Sequence, residues 1–136
     1  MLLVSGYGRG TNVGWYPEAH PFSQSNFFLR IAAFYEPLGN FDWYLRDTSS
    51  KDEILIRSAV SVGGNPAQYS AEFPATGKEY QVVIKEYLGT DIYKVFGRFT
   101  PKPGGSYILV AANRQKPGGG TTKVGYVIED TGPTSN

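Results

Sequence analysis

The chain predicts an all-β fold: an antiparallel β-sandwich of about seven or eight strands, preceded by a flexible N-terminal arm. Three observations carry this. In Phe41-Asp42-Trp43-Tyr44-Leu45-Arg46-Asp47, Phe41, Trp43 and Leu45 share one face while Asp42 and Arg46 point the other way, the period-2 alternation of a half-buried strand. Seventeen Gly and nine Pro cluster between the apolar runs, where turns need them. Aromatic residues make up 15% of the chain, with ten Tyr and eight Phe, a bias that suits pleated, half-buried surfaces. No segment sustains a 3.6-residue period over three turns.

Residues 1–25 read as the arm. Met1-Leu2-Leu3-Val4 is a small apolar cluster with a short extended piece at Leu2–Val4, and Gly6, Gly8 and Gly10 after it give a tether. The sandwich spans 26–130. Phe27–Tyr35 stops at Glu36-Pro37-Leu38-Gly39-Asn40, a turn with Pro and Gly. Phe41–Asp47 follows, then the polar loop from Thr48 to Asp52. Ile54–Val60 runs into Gly63-Gly64-Asn65-Pro66. Ala67–Phe73 alternates Ala67, Tyr69, Ala71 and Phe73 with Gln68, Ser70 and Glu72. Pro74-Ala75-Thr76-Gly77 reverses the chain into Glu79–Leu88. Gly89-Thr90-Asp91 is the tightest connection, so Glu79–Leu88 and Ile92–Thr100 form an antiparallel hairpin. Tyr107–Ala112 and Val124–Glu129 follow, separated by Lys116-Pro117-Gly118-Gly119-Gly120. Residues 131–136 read as a disordered tail. Greek-key connections fit this series, and a closed barrel is the alternative that strand number leaves open.

Composition narrows the function classes. A chain of 136 residues is one domain able to bury a core of its own. Thirteen basic against twelve acidic residues leave a net charge of +1, which lacks the dense basic face of a nucleic-acid binder and gives no warrant for an anionic membrane. There is no cysteine, so disulfides, thiol nucleophiles and thiolate metal sites are excluded. No apolar run reaches the roughly 20 residues of a transmembrane helix, and the opening apolar cluster is too short for a signal-peptide core.

The order of features is similar to the DUF4397 family. Phe28-Leu29-Arg30-Ile31-Ala32-Ala33-Phe34, a Pro-bearing turn and Phe41-Asp42-Trp43-Tyr44-Leu45 resemble that family's V-R-V-V-H strand, Pro-rich turn and V-D-V-Y strand. Tyr69-Ser70-Ala71-Glu72-Phe73-Pro74-Ala75-Thr76-Gly77 resembles its Y-x-x-L-P-A-G step. Gly104-Gly105-Ser106-Tyr107-Ile108-Leu109-Val110-Ala111-Ala112 resembles its G-x-x-Y-T-V-x-A strand, and Val127-Ile128-Glu129-Asp130 its closing strand. The likeness covers residues 26–130 and not the arm. Tyr35 stands where the family's first strand ends in His. The resemblance implies an Ig-like or transthyretin-like sandwich in an extracellular or cell-surface protein, with no established enzymatic activity.

No catalytic set can be assembled from the residues themselves. His20, the only histidine, lies in Pro17-Glu18-Ala19-His20-Pro21, and one His without Cys cannot supply the ligands of a zinc site. Asp47, Asp52 and Glu53 flank one loop but lack the D-x-D-x-D-G spacing; turn capping is the expected role, with calcium left open. Gly6-x-Gly8-x-Gly10 has no following helix and no Lys-Ser/Thr end, so it is no phosphate loop. No enzyme activity, metal or cofactor is expected.

Function then falls to surfaces. On the first strand Phe27, Leu29, Ile31 and Ala33 face inward, which leaves Phe28 and Phe34 on the outer face; Tyr44 and Phe96 read as outward too. These four, with Leu2, Leu3, Val4, Tyr7, Trp15 and Tyr16 of the arm, are the candidate assembly residues. The first reading is a structural subunit of a filament or appendage, a homo-oligomer or polymer whose arm adds a strand to a neighbour's sheet edge. The alternative is a carbohydrate-binding adhesion module, with Tyr7, Trp15 and Tyr16 stacking on sugars and Asn12 and Glu18 bonding hydroxyls. Nucleic acid is not an expected partner.

Overall fold

The computed structural model describes residues 2–6, 11–15, 25–35, 39–63 and 70–130, and within them every regular element is a strand. These are β1 (Leu2–Gly6), β2 (Thr11–Trp15), β3 (Asn26–Phe34), β4 (Asn40–Asp47), β5 (Glu53–Ser61), β6 (Ser70–Pro74), β7 (Tyr80–Glu86), β8 (Ile92–Phe99), β9 (Ser106–Gln115) and β10 (Thr121–Glu129). Strands β3 to β10 build the expected sandwich from two four-stranded sheets. One has the order β10-β9-β3-β6, the other β5-β4-β7-β8.

Two expectations need correction. The sandwich is not wholly antiparallel, because β3 runs parallel to β9, with Phe28 opposite Ser106 and Phe34 opposite Ala112. Five strands separate the two in sequence, and the chain visits the other sheet between them. No hairpin therefore dictates their direction. The arm is also more than a tether with one extended piece: β1 and β2 pair antiparallel, Leu2 opposite Trp15 and Val4 opposite Val13. Gly8 and Gly10, which read as flexibility, lie outside the described residues.

The core lies where the alternation places it on β3, β4, β7 and β9. Phe27, Leu29, Ile31, Ala33 and Tyr35 meet Phe41, Trp43 and Leu45 together with Tyr80, Val82, Ile84, Tyr107 and Leu109. Trp43 is fully buried, and its ring stands edge-on to Phe96 at 6.0 Å. The expected β7–β8 hairpin is present, but β7 stops at Glu86 because Leu88 turns to φ +57°.

The two outer strands of the second sheet break the period. On β8, Tyr80 pairs with Phe99 and Val82 with Phe96, while Ile84 pairs with Lys94 and Lys85 with Ile92. Each step inserts one extra residue into β8, the signature of a β-bulge. Tyr93, Phe96 and Phe99 thereby all join the core at a spacing that strict alternation forbids. Strand β5 is bulged likewise opposite Phe41–Tyr44.

Candidate functional site

The most developed surface is the outer face of the β10-β9-β3-β6 sheet. Alternation on β3 and β9 turns Ala32, Phe34, Ile108 and Val110 away from the sandwich core into a second apolar cluster, flanked by Ala112 and Ile128. All four central residues are buried within the single chain, Phe34 at 4% exposure and Ile108 at 1%. A sheet's outer face is buried only beneath a cover. Strand β1 comes close to β9, the strand that carries Ile108 and Val110 of the strip.

Beside the apolar strip sits a buried polar cluster. Arg30 Nη2 donates to Asp130 Oδ2 at 2.6 Å, with the side chains only 4% and 1% exposed. Arg30 Nε and Ser106 Oγ are buried without a hydrogen-bond partner. An unmade buried hydrogen bond costs about 1–3 kcal/mol, so this region carries polarity that packing alone does not require. Sequence reasoning missed it. The only signal is an Arg in the middle of the run Phe28-Leu29-Arg30-Ile31-Ala32, where a strand facing water on that side would need no ion-pair partner.

The residues expected at the assembly surface separate. Leu2, Leu3 and Val4 lie in β1, and Asn12 and Trp15 in β2. Tyr7, Tyr16, Glu18 and His20 lie outside the described residues. Phe28 is half-buried on the outer face, and Phe34 belongs to the covered strip. Tyr44 does face outward, but Lys85 Nζ stands 4.9 Å above its ring. Phe96 is a correction. It points into the core: β8 runs regularly from Lys94 to Phe96 opposite Ile84 to Val82, so Phe96 shares the inward face of Val82, and the bulges on either side of that run put Ile92 and Arg98 out of phase with it.

On the outer face of the other sheet charge covers the middle of an apolar row, while Leu55 at its end stays 48% exposed. The register sets Leu55, Tyr44, Val83 and Val95 side by side across all four strands. Over this row, Glu53 accepts from Arg46 Nη2 at 2.7 Å and from Lys85 Nζ at 2.5 Å. The aliphatic stems of Arg46 and Lys85 cover apolar surface while their heads meet the carboxylate, and Val83 is fully buried. Burial pushes the Glu53 carboxyl upward, but the hydrogen bonds and charges of Lys85 and Arg46 outweigh it and hold its pKa below the usual value.

The acidic loop is occupied by its own backbone. Asp47 Oδ1 accepts from the Ser49 amide at 2.8 Å and the Ser50 amide at 3.3 Å. Its pKa is lowered chiefly by the Ser49 amide, against partial burial, with further help from Ser50 and Lys78. With Glu53 held by two cations and Asp47 capping its turn, the three carboxylates do not converge. Among the described residues no group of three His, Cys, Asp or Glu side chains could hold a metal ion.

Asp42, at 6% exposure, is a brace. Its Oδ1 accepts from Ser58 Oγ at 2.8 Å and from the Ala59 amide at 2.9 Å, and Oδ2 from the Leu88 amide at 3.4 Å. Ala59 and Leu88 both have positive φ, so one carboxylate holds the β5 bulge and the β7–β8 turn. No protein-family model matches the chain, and no curated protein matches it either.

Proposed function

We propose that this chain is a non-catalytic, DUF4397-like structural subunit that assembles with copies of itself through its N-terminal arm. The observation that carries the reading is the apolar strip Ala32, Phe34, Ile108 and Val110, buried on the outside of a sheet against which β1 lies. An arm that covers a neighbour's strip in place of its own keeps the same contacts. Exchange then links copies at little cost in free energy. A head-to-tail exchange that does not close gives a filament. The extracellular or cell-surface setting rests on the family resemblance alone.

The test is deletion of residues 1–14, with mass followed by multi-angle light scattering over a range of concentrations. The full chain is expected to form discrete oligomers. The deleted chain is expected to lose them while circular dichroism still reports the sandwich. A full chain that stays monomeric at all concentrations, or oligomers that survive the deletion unchanged, would refute the proposal.

A further inference from the structure

The β7–β8 turn presents an apolar tip that the fold does not use. Leu88 is 83% exposed, and Tyr87 and Ile92 beside it are 45% and 50% exposed. Leu88 also has φ +57°, the left-handed region that Gly and Asn enter readily and Leu does not. The turn is firmly held: the Leu88 amide donates to Asp42 Oδ2 at 3.4 Å, the Gly89 amide to the Glu86 carbonyl at 2.9 Å, and the Tyr87 amide to the Asn40 carbonyl at 3.3 Å. A strained backbone carrying a solvated leucine gains nothing from burial in this chain. Such an outlier points to a use outside it.

What surrounds the tip indicates the partner. Strands β8 and β10 run side by side across the gap between the sheets: Lys123 Nζ sits 4.0 Å over the Tyr93 ring and bonds the Tyr93 carbonyl at 3.3 Å, and Gly125 lies against Phe96. The start of β8 therefore adjoins the start of β10, and the β7–β8 and β9–β10 turns emerge at one end of the sandwich. That end gathers Lys94, Arg114, Lys116 and Lys123, against the carboxylates Glu86 and Asp91 and the buried Asp42 that holds the Leu88 amide. Among the described residues, none of these four cations pairs with a carboxylate. The near-zero net charge of the whole chain thus hides a local basic excess next to protruding apolar side chains.

We infer that this end docks on an anionic lipid bilayer, with Leu88, Tyr87 and Ile92 entering the interface and the cations meeting phosphate headgroups. A convex apolar tip fits a partner that yields around it, and a basic rim matches the negative potential of such a surface. This inference does not rest on the arm.

The experiment is co-sedimentation of the full chain with vesicles of phosphatidylcholine, alone or mixed with phosphatidylglycerol. Binding is expected to the mixed vesicles and to weaken as salt rises. Leu88→Asn is expected to reduce vesicle affinity at least about fivefold. Its urea midpoint should stay the same or rise, because Asn accepts the left-handed conformation. Arg114→Glu combined with Lys116→Glu is expected to abolish the preference for phosphatidylglycerol. Failure of the full chain to bind mixed vesicles, or undiminished binding by Leu88→Asn, overturns the inference. So does a Leu88-dependent rise in solution mass without vesicles, which would assign the tip to a second copy of the chain.

Discussion

Gly125 tests the closeness of the two sheets at the β8–β10 edge. A Cβ at this position would stand 2.2 Å from Phe96 Cγ and 2.5 and 2.6 Å from its two Cδ atoms. Those are ring atoms of a core residue, itself packed edge-on against Trp43 at 6.0 Å, so the obstacle cannot swing aside. Overpacking of a filled core costs about 1–3 kcal/mol, occasionally more, and three contacts this short put Gly125→Ala at the upper end. Removing the glycine returns roughly 0.5–1 kcal/mol through the unfolded chain. The net loss is about 2 kcal/mol, which with a urea m-value of about 1–3 kcal/mol/M lowers the unfolding midpoint by roughly 1–2 M. The assay is urea unfolding followed by far-UV circular dichroism, with the wild type in parallel. A double-mutant cycle adds a check. Phe96→Ala alone costs about 3–5 kcal/mol, but combined with Gly125→Ala the total should fall well short of the sum, since the new methyl enters the space the ring vacates. A Gly125→Ala midpoint equal to or above wild type, or strict additivity with Phe96→Ala, would show that the sheets do not approach as described.

Three further outcomes follow from the ionic groups. Glu53 and Asp47 both have folded-state pKa values below the ordinary 4.5 and 3.8; their contribution is present above those values and is lost as pH falls through the lowered ones. Urea midpoints should therefore drop on acidification below the ordinary carboxylate range, and Glu53→Gln should flatten that drop; a Glu53→Gln profile parallel to wild type would contradict the assignment. Breaking the Arg30–Asp130 pair by Asp130→Asn should cost about 3–5 kcal/mol because it strands a buried guanidinium, whereas replacing both partners by apolar residues should cost much less; equal losses in the two variants would count against burial of the pair. Asp42→Ala leaves the Ser58, Ala59 and Leu88 donors without their acceptor and should cost about 1–3 kcal/mol, with amide hydrogen exchange accelerated at Leu88; unchanged exchange there would rule out the brace.

The legible and illegible parts of the fold divide on one physical property, whether the strand keeps its period. Strands β3, β4, β7 and β9 alternate without interruption, so Phe27, Trp43, Val82 and Leu109 can be placed in the core from sequence. Strands β5 and β8 are bulged, and a bulge leaves no mark that alternation can read. Alternation alone puts Phe96 on the wrong face for that reason, although Gly97, at φ +69°, is the residue type that accompanies such a break. The parallel β3–β9 pair was out of reach for a different reason. Strand direction is set by which sheet the chain enters after a crossover, and no local pattern records that. Of the candidate surface, alternation places Phe34 on the outer face, but the Arg30–Asp130 pair depends on a contact between residues a hundred positions apart.

The edges of the sandwich explain why association should run through faces and tips. An incoming strand needs an open, regular row of backbone donors and acceptors. Strands β5 and β8, the outer strands of one sheet, are both bulged, which twists the row and removes its regularity. In the other sheet β6 has only five residues, and Arg57 reaches across from β5 to donate Nη2 to the Ser70 carbonyl at 2.6 Å and Nε at 3.1 Å. Its remaining edge, β10, stands against β8 with Gly97 and Gly125 allowing the close approach. A strand added at any of these places would meet a bulge, an occupied carbonyl or the opposite sheet. The strip of Ala32, Phe34, Ile108 and Val110 and the tip at Leu88 meet none of these obstacles. In both, apolar side chains stand clear of the backbone ladder, so a partner can engage them without disturbing a single inter-strand hydrogen bond.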